Sequence, residues 1–444
     1  MEQVHIAPLV VFRVVFGGMM LASIIRFWLN GWIEQLYINP TFFFTYYGFE
    51  WVKPLGEVGM YLLFFIMGIA ALFVMIGLFY RLSSLLFFIS FTYVELIDKS
   101  TYLNHYYFIS IVAFLMILLP AGKYFSLDTF INPKKRITHI PRIFIFIIQL
   151  QLGMVYFFAG VAKLNPDWLF DAQPLRIWLQ AHTDIPILGY FMDKVWVAYF
   201  FSWFGAFYDL TIPLFLSIKK TRTIAYVFVI VFHVLTRILF QIGMFPYIMI
   251  LATLIFFSEG FHLKIISAIR KISDKFKKVM EQEVTINYQF RRSIVRVFVG
   301  FFILHFSIQL LLPFRYLFYP DQLFWTEQGY RFSWRVMLME KAGKTFFYVT
   351  DNDTGRSGEA MVDNDLTVNQ EKMMATQPDM IIQYAHYLKE KYQKLGIKNP
   401  KITVESYVSL NGKGSRLYIN KYVDLTKVRD GFHHKWWLLP SEQK

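Results

Sequence analysis

Nine apolar runs, at residues 8–28, 57–79, 82–96, 102–119, 143–163, 195–218, 224–240, 247–257 and 295–312, constrain this chain more than any other feature. A helix rising 1.5 Å per residue needs about 20 apolar residues to cross a hydrocarbon layer about 30 Å thick. Most of the runs approach that length. The eighth is short, so it and the seventh could form one broken helix with a re-entrant half. Composition removes the soluble alternative: 56% of the 444 residues are hydrophobic, 17% are charged, and the mean hydropathy is +0.41. So much apolar surface must face lipid. The expected fold is a multi-spanning α-helical membrane protein with about nine crossings.

The net charge of +14 invites a nucleic-acid reading. The basic residues are instead gathered in short segments between apolar runs, at 134–142, 219–222 and 264–292, as the positive-inside rule expects. With those three loops in the cytoplasm, nine crossings put the N-terminus inside and everything after Pro313 outside. There is no cysteine, which excludes disulfides, thiolate nucleophiles, iron–sulfur clusters and cysteine zinc sites. The N-terminus lacks the basic stretch and cleavage site of a removable signal peptide.

The chain therefore divides into a membrane domain, 1–313, and an extracytoplasmic domain, 314–444. The second part has no run of membrane length. Residues 344–349 and 359–362 flank Thr350-Asp351-Asn352-Asp353-Thr354-Gly355, a hairpin signal. Residues 379–395 have helical spacing, and 402–410 and 416–419 read as strands. A small α+β domain is expected.

Chemistry is sought among the few polar groups inside apolar runs. Lys163 closes the fifth run just before Asn165-Pro166-Asp167 and Trp168. A lysine there commonly snorkels to the headgroups. Its neighbours Ala159, Gly160 and Ala162 are small, helix-interface residues, and Lys163 lies one turn from Ala159, so it is expected to point into the bundle. Burial makes it available as a base, provided its amine is neutral and no carboxylate is near. Asp167, the nearest acid in sequence, is expected at the water surface. Asp209 lies in the sixth run and needs a partner, for which Arg237 is the candidate counter-ion. His233 reads as a hydrogen-bonded structural histidine. Asn104-His105 opens the fourth run at the same depth as Lys163, and Glu95 precedes Lys99 in the order that favours an ion pair. His433-His434 are adjacent and cannot easily chelate one ion, so no metal site is expected.

Several stretches, in order, resemble the vitamin K-dependent γ-glutamyl carboxylase family in its shorter bacterial form with an HTTM membrane domain. They are Val11-Phe12-Arg13 with Phe16-Gly17, Gly77-Leu78-Phe79-Tyr80-Arg81-Leu82-Ser83, Asp98-Lys99-Ser100 through Asn104-His105, and residues 156–168. Phe232-His233, Ile242-Gly243-Met244-Phe245-Pro246-Tyr247 and Gly329-Tyr330-Arg331-Phe332-Ser333-Trp334 continue the series. Residues 353–359 and Tyr407-Val408-Ser409-Leu410-Asn411 complete it. Any one match is weak; the ordered set is specific.

The resemblance implies an enzyme of a bacterial inner membrane that uses reduced vitamin K, or a menaquinol-type quinol, with O2 and CO2. Its product would be γ-carboxyglutamate in a Glu-containing protein or peptide. In the family a lysine matching Lys163 deprotonates the hydroquinone. Oxygen adds, and the resulting alkoxide removes a γ-proton from glutamate. A histidine matching His105 assists, beside an asparagine matching Asn104. Phe332, Ser333, Trp334 and Met337 match the stretch near the glutamate, with Trp334 expected as a rigid wall. The chain departs from the animal enzymes in having Ala162-Lys163 for a Lys-Lys pair, Thr236-Arg237 for Asn-Ser, and no long C-terminal extension. Two other classes compete. A quinol–oxygen epoxidase would keep the Lys163 and His105 site without carboxylating anything. A transporter would use Asp209, His233 and Arg237 as a polar path.

Overall fold

The computed structural model describes residues 2–240, 242–271, 285–289 and 292–441. A short strand, β1 (Gln3–His5), leads into α1 (Ala7–Leu29), which carries Pro8 in its first turn, where a missing N–H is harmless. α2 (Gly56–Ile76) lies along α1. Gly17 permits that approach, because a Cβ there would sit 2.5 Å from the Met75 amide nitrogen. α3 (Tyr80–Ile97) and α4 (Asn104–Leu118) follow. α4 stops before Pro120, and the chain resumes over Ala121–Ile131 at an angle of 52°. Arg13, the cation inside the first run, is buried and donates to the Ala121 and Phe125 carbonyls at 3.0 and 2.6 Å.

β2 (His139–Pro141) pairs antiparallel with β1 and opens the second half. It contains α5 (Ile143–Ala162), α6 (Val195–Ser217), α7 (Arg222–Leu239), α8 (Phe245–Ala252), α9 (Glu259–Lys271) and α10 (Arg292–Leu311). Among the described residues, seven helices are long and apolar enough to cross a membrane, and up to nine if each of two bent pairs counts as one span. The protein is thus a polytopic helical membrane protein. The break expected between the seventh and eighth runs lies one connection later. α7 qualifies as a span by itself, while Phe245–Phe256 and Glu259–Lys271 meet at 116°. Of the basic segment 264–292, residues 264–271 end α9, and 272–284 and 290–291 lie outside the described residues.

The C-terminal part holds β3 (Lys341–Asp351), β4 (Ser357–Ala360), α11 (Val368–Met374), α12 (Pro378–Lys394), β5 (Pro400–Leu410) and β6 (Arg416–Leu417). The four strands form one antiparallel sheet in the order β4-β3-β5-β6, with Lys341 opposite Leu410 and Asp351 opposite Pro400. Alternation places Ile402, Val404, Val408 and Leu410 on the buried face of β5. α12 covers the sheet with Met380, Ile381, Tyr384, Ala385 and Leu388, spaced as one helical face.

Buried polar contacts join this part to the helices. Gln370 of α11 donates to the Asp98 carboxylate and the Phe42 carbonyl, both at 2.7 Å. Asp379, in the first turn of α12, accepts from Lys99 and from Arg331, each at 2.8 Å. Lys99 therefore does not form the expected pair with Glu95. α3 ends at Ile97 and Asp98 is extended (φ −142°), so the helical i,i+4 geometry is lost one residue too early.

Candidate active site

Lys163 is the C-cap of α5, and its position follows from local chemistry. Asn165 caps the next short helix, Pro166–Leu169, by accepting from the Trp168 amide at 3.0 Å, and its side-chain amide donates back to the Ala162 carbonyl at 3.0 Å. The turn folds Trp168 under the lysine, whose Nζ lies 5.4 Å from the indole centroid. The indole N–H donates to the Ser202 carbonyl at 2.9 Å, fixing the ring against α6.

α6 supplies the group that sequence order concealed. Lys163 Nζ donates to Asp209 Oδ2 at 2.5 Å, with both side chains less than a tenth exposed, and to the Ala159 carbonyl at 3.3 Å. This corrects the expectation of a lysine without a nearby carboxylate, and of Arg237 as the counter-ion of Asp209. Gly160 is the reason: a Cβ there would stand 2.8 Å from the Leu210 amide nitrogen, so only glycine lets α5 and α6 approach at the level of Asp209. Asp167 is also corrected. It is buried rather than at the water surface, because the Asn411-Gly412-Lys413 turn closes over it; Asn411 donates at 2.8 Å and Lys413 at 3.4 Å.

The pair faces a cavity of about 360 Å³. His233 lines the same cavity, donating or accepting at Nε2 with the Tyr156 hydroxyl at 2.9 Å, while its buried Nδ1 has no partner among the described residues. The other walls are almost wholly apolar. Phe200, Phe228 and Val231 line them and are also about half exposed on the outer face of the bundle (55%, 48% and 56%), so the cavity opens where lipid would lie.

A second cavity of about 870 Å³ lies between the helices and the C-terminal part. Asn104, His105 and Arg237 line it. Phe245, Ile242, Val336 and Met337 line both cavities and form their common wall. His105 rests against Phe245, ring centroids 5.8 Å apart. Lys163 and His105 thus stand on opposite sides of one thin partition.

Asn104 is bonded at both ends: its oxygen accepts from the Tyr102 hydroxyl at 3.0 Å and its amide donates to the Arg335 carbonyl at 2.7 Å. It holds the loop that carries Met337. That loop has left-handed Phe332, Trp334 and Met337 (φ +59°, +59° and +52°), which coil it, and it buries Ser333, Trp334 and Arg335 in succession. Trp334 stacks on Tyr107 at 4.9 Å and is buried, Phe332 packs against Tyr102 and Tyr107, and Ser333 accepts from Arg315 at 3.1 Å. Of the four residues expected near a substrate, only Met337 lines the two central cavities; Trp334 is not their wall. Tyr156, Trp168 and Phe245 lay within the matched stretches but carried no assigned role, since an aromatic ring gives no local sign in sequence of a polar task.

Fold and site define a polytopic membrane protein with a buried lysine–aspartate pair in a lipid-facing cavity that shares a wall with a polar one. Residues 1–261 match the family model of the HTTM domain, and residues 294–444 match that of the vitamin K-dependent gamma-carboxylase, lumenal domain. The chain belongs to the vitamin K-dependent gamma-carboxylase family. No solved structure matches it.

Proposed function

We propose that the protein is a γ-glutamyl carboxylase: glutamate, CO2, O2 and a reduced vitamin K or menaquinol-type quinol give γ-carboxyglutamate, the quinone epoxide, water and a proton. The observation that carries this reading is the pair of cavities sharing one wall, apolar and lipid-facing beside Lys163, polar and domain-facing beside His105. A glutamate γ-proton is far beyond any side-chain base, and oxidation of the quinol supplies the missing driving force. The smaller cavity fits such a group. Its walls suit an isoprenoid tail, Gly205 adds no side chain beside the lysine, and the His233 Nδ1, without a partner among the described residues, offers a polar anchor.

Lys163 Nζ is the atom we assign to taking a quinol proton. An ammonium has no lone pair, and Asp209 Oδ2, its hydrogen-bond acceptor, is the group to which its proton would pass before the amine takes one from the quinol. The pair therefore holds a base ready without presenting net charge to lipid. His105, across the wall of Phe245 and Met337, serves the glutamate side, with Asn104 fixing the loop. The division at residue 313 and an extracytoplasmic C-terminal domain are part of this proposal, supported by the basic loops and by the lumenal domain match.

The test is incubation of the purified protein with reduced vitamin K, labelled bicarbonate and a Glu-containing peptide. Label in the peptide is expected. Epoxide without label would sink the carboxylase reading in favour of a quinol epoxidase, which the Lys163 site alone could sustain. In the same assay Trp334→Ala is expected to lower both reactions together, because removing a core tryptophan costs about 3–5 kcal/mol. A lowered thermal midpoint accompanies it. Loss of carboxylation alone, with the midpoint unmoved, would return Trp334 to the substrate surface.

A further inference from the structure

The larger cavity is rich in cations, and most of them already have an occupation. Lys99 and Arg331 share Asp379, and Lys341 is held by Glu327 at 2.9 Å. Arg335 lies over the Tyr316 ring at 4.7 Å and Arg26 over Trp32 at 4.7 Å. Glu340, the other carboxylate in the lining, accepts from the Trp178 indole. Arg237 and Lys372 differ: neither makes an ion pair or hydrogen bond among the described residues. Lys372 belongs to α11 of the C-terminal part, whereas Arg237 stands in the last turn of a membrane helix, one turn beyond His233 and beside the wall shared by the two cavities. Asp209, the acid that sequence offered it, is held by Lys163 and lines the other cavity.

Arg237 is exposed at the end of its helix, so its guanidinium is within reach of a ligand entering the cavity, and its planar fork matches a carboxylate bidentately. We propose that Arg237 seats the γ-carboxylate of the substrate glutamate, holding the side chain with its γ-carbon toward the Phe245–Met337 wall. The proposal rests on the carboxylase reading and assigns within it the residue that distinguishes glutamate from its neutral isostere. Glutamine has the same shape and no charge, so it cannot replace the ion that the cavity lacks.

The experiment measures binding of two end-blocked peptides, identical except for one Glu or Gln, to the full-length protein in nanodiscs, with no turnover required. The wild-type protein is expected to favour the Glu peptide by about 10–100-fold, the range of a charge-assisted hydrogen bond. Arg237→Gln is expected to bring that ratio near one by weakening only the Glu peptide. Arg237→Lys should restore part of it. An unchanged ratio in Arg237→Gln, or equal weakening of both peptides, would overturn the assignment. So would a ratio that appears only when anionic phospholipid is removed from the disc, since the guanidinium would then belong to a lipid headgroup. A protein that discriminates the peptides through Arg237 but fixes no labelled CO2 would defeat the carboxylase reading and leave this assignment standing.

Discussion

Lys163→Arg will yield a folded protein that neither oxidises quinol nor carboxylates peptide, with activity lower by about 10²–10⁴-fold, the usual contribution of a positioned acid–base group. Guanidinium keeps its proton at any accessible pH, so it can pair with Asp209 and hold α5 to α6, but it cannot become a base. Lys163→Ala will lose the same activity and also stability. It leaves Asp209, 4% exposed, as a buried carboxylate without its 2.5 Å partner, a change that costs about 3–5 kcal/mol. Removing the acid as well, in Lys163→Ala/Asp209→Asn, is expected to recover most of that stability and none of the activity. A small added amine should partly rescue Lys163→Ala, because the vacated space ends on a carboxylate that can pair with it, and rescue should grow with pH as free amine increases. It should fail in the double variant. Quinol oxidation and thermal midpoints, read on the four proteins, separate chemistry from folding. An active Lys163→Arg enzyme would end the base mechanism.

Asp379→Ala is expected to loosen the C-terminal domain from the helices at a cost of about 3–5 kcal/mol. Its carboxylate is the meeting point of three segments: Lys99 at the end of the bundle nearest the C-terminal part, Arg331 in the connecting loop, and α12 itself. Lys99 is only 3% exposed and would be left as an uncompensated ammonium. Burial by itself pushes the Asp379 carboxyl up, but Arg331, Lys99 and Lys435 outweigh it and hold it well below the usual carboxylate range. The sign of the pH effect follows. The unfolded carboxyl titrates near 3.9, so the stabilisation is fully present above about pH 4 and is lost only as the pH falls through the lower folded value. Protease cleavage between the helices and the domain should therefore stay slow at pH 5 in the wild type and become fast in Asp379→Ala at neutral pH. Lys99→Met/Asp379→Leu should be slower to cleave than Asp379→Ala. Cleavage at the wild-type rate in Asp379→Ala would show that the network does not hold the domain.

What could be read along the chain is what local pattern encodes. Apolar length fixed the membrane spans, period-two alternation gave β3 and β5, and the Asp351–Gly355 turn announced the β3–β4 hairpin. The inward turn of Lys163 was also legible, because Ala159, Gly160 and Ala162 mark a helix interface, and the interface face of a helix is set by spacing alone. The ordered motifs carried the family.

Partners across helices were not legible. Lys163 and Asp209 are 46 residues apart, and nothing short of the α5–α6 crossing decides that the lysine, rather than Arg237, answers the buried carboxylate. Lys99 turned from Glu95 to Asp379 because α3 unwinds one residue before the pair could form. Trp334 entered the core instead of walling the site because left-handed residues around it reverse its direction, and a backbone angle at a non-glycine residue leaves no mark in composition. Sequence determined which polar groups entered the membrane, since their transfer cost is a property of each residue. Only tertiary structure decided which charge each one meets, because that depends on distances between segments that share no local constraint.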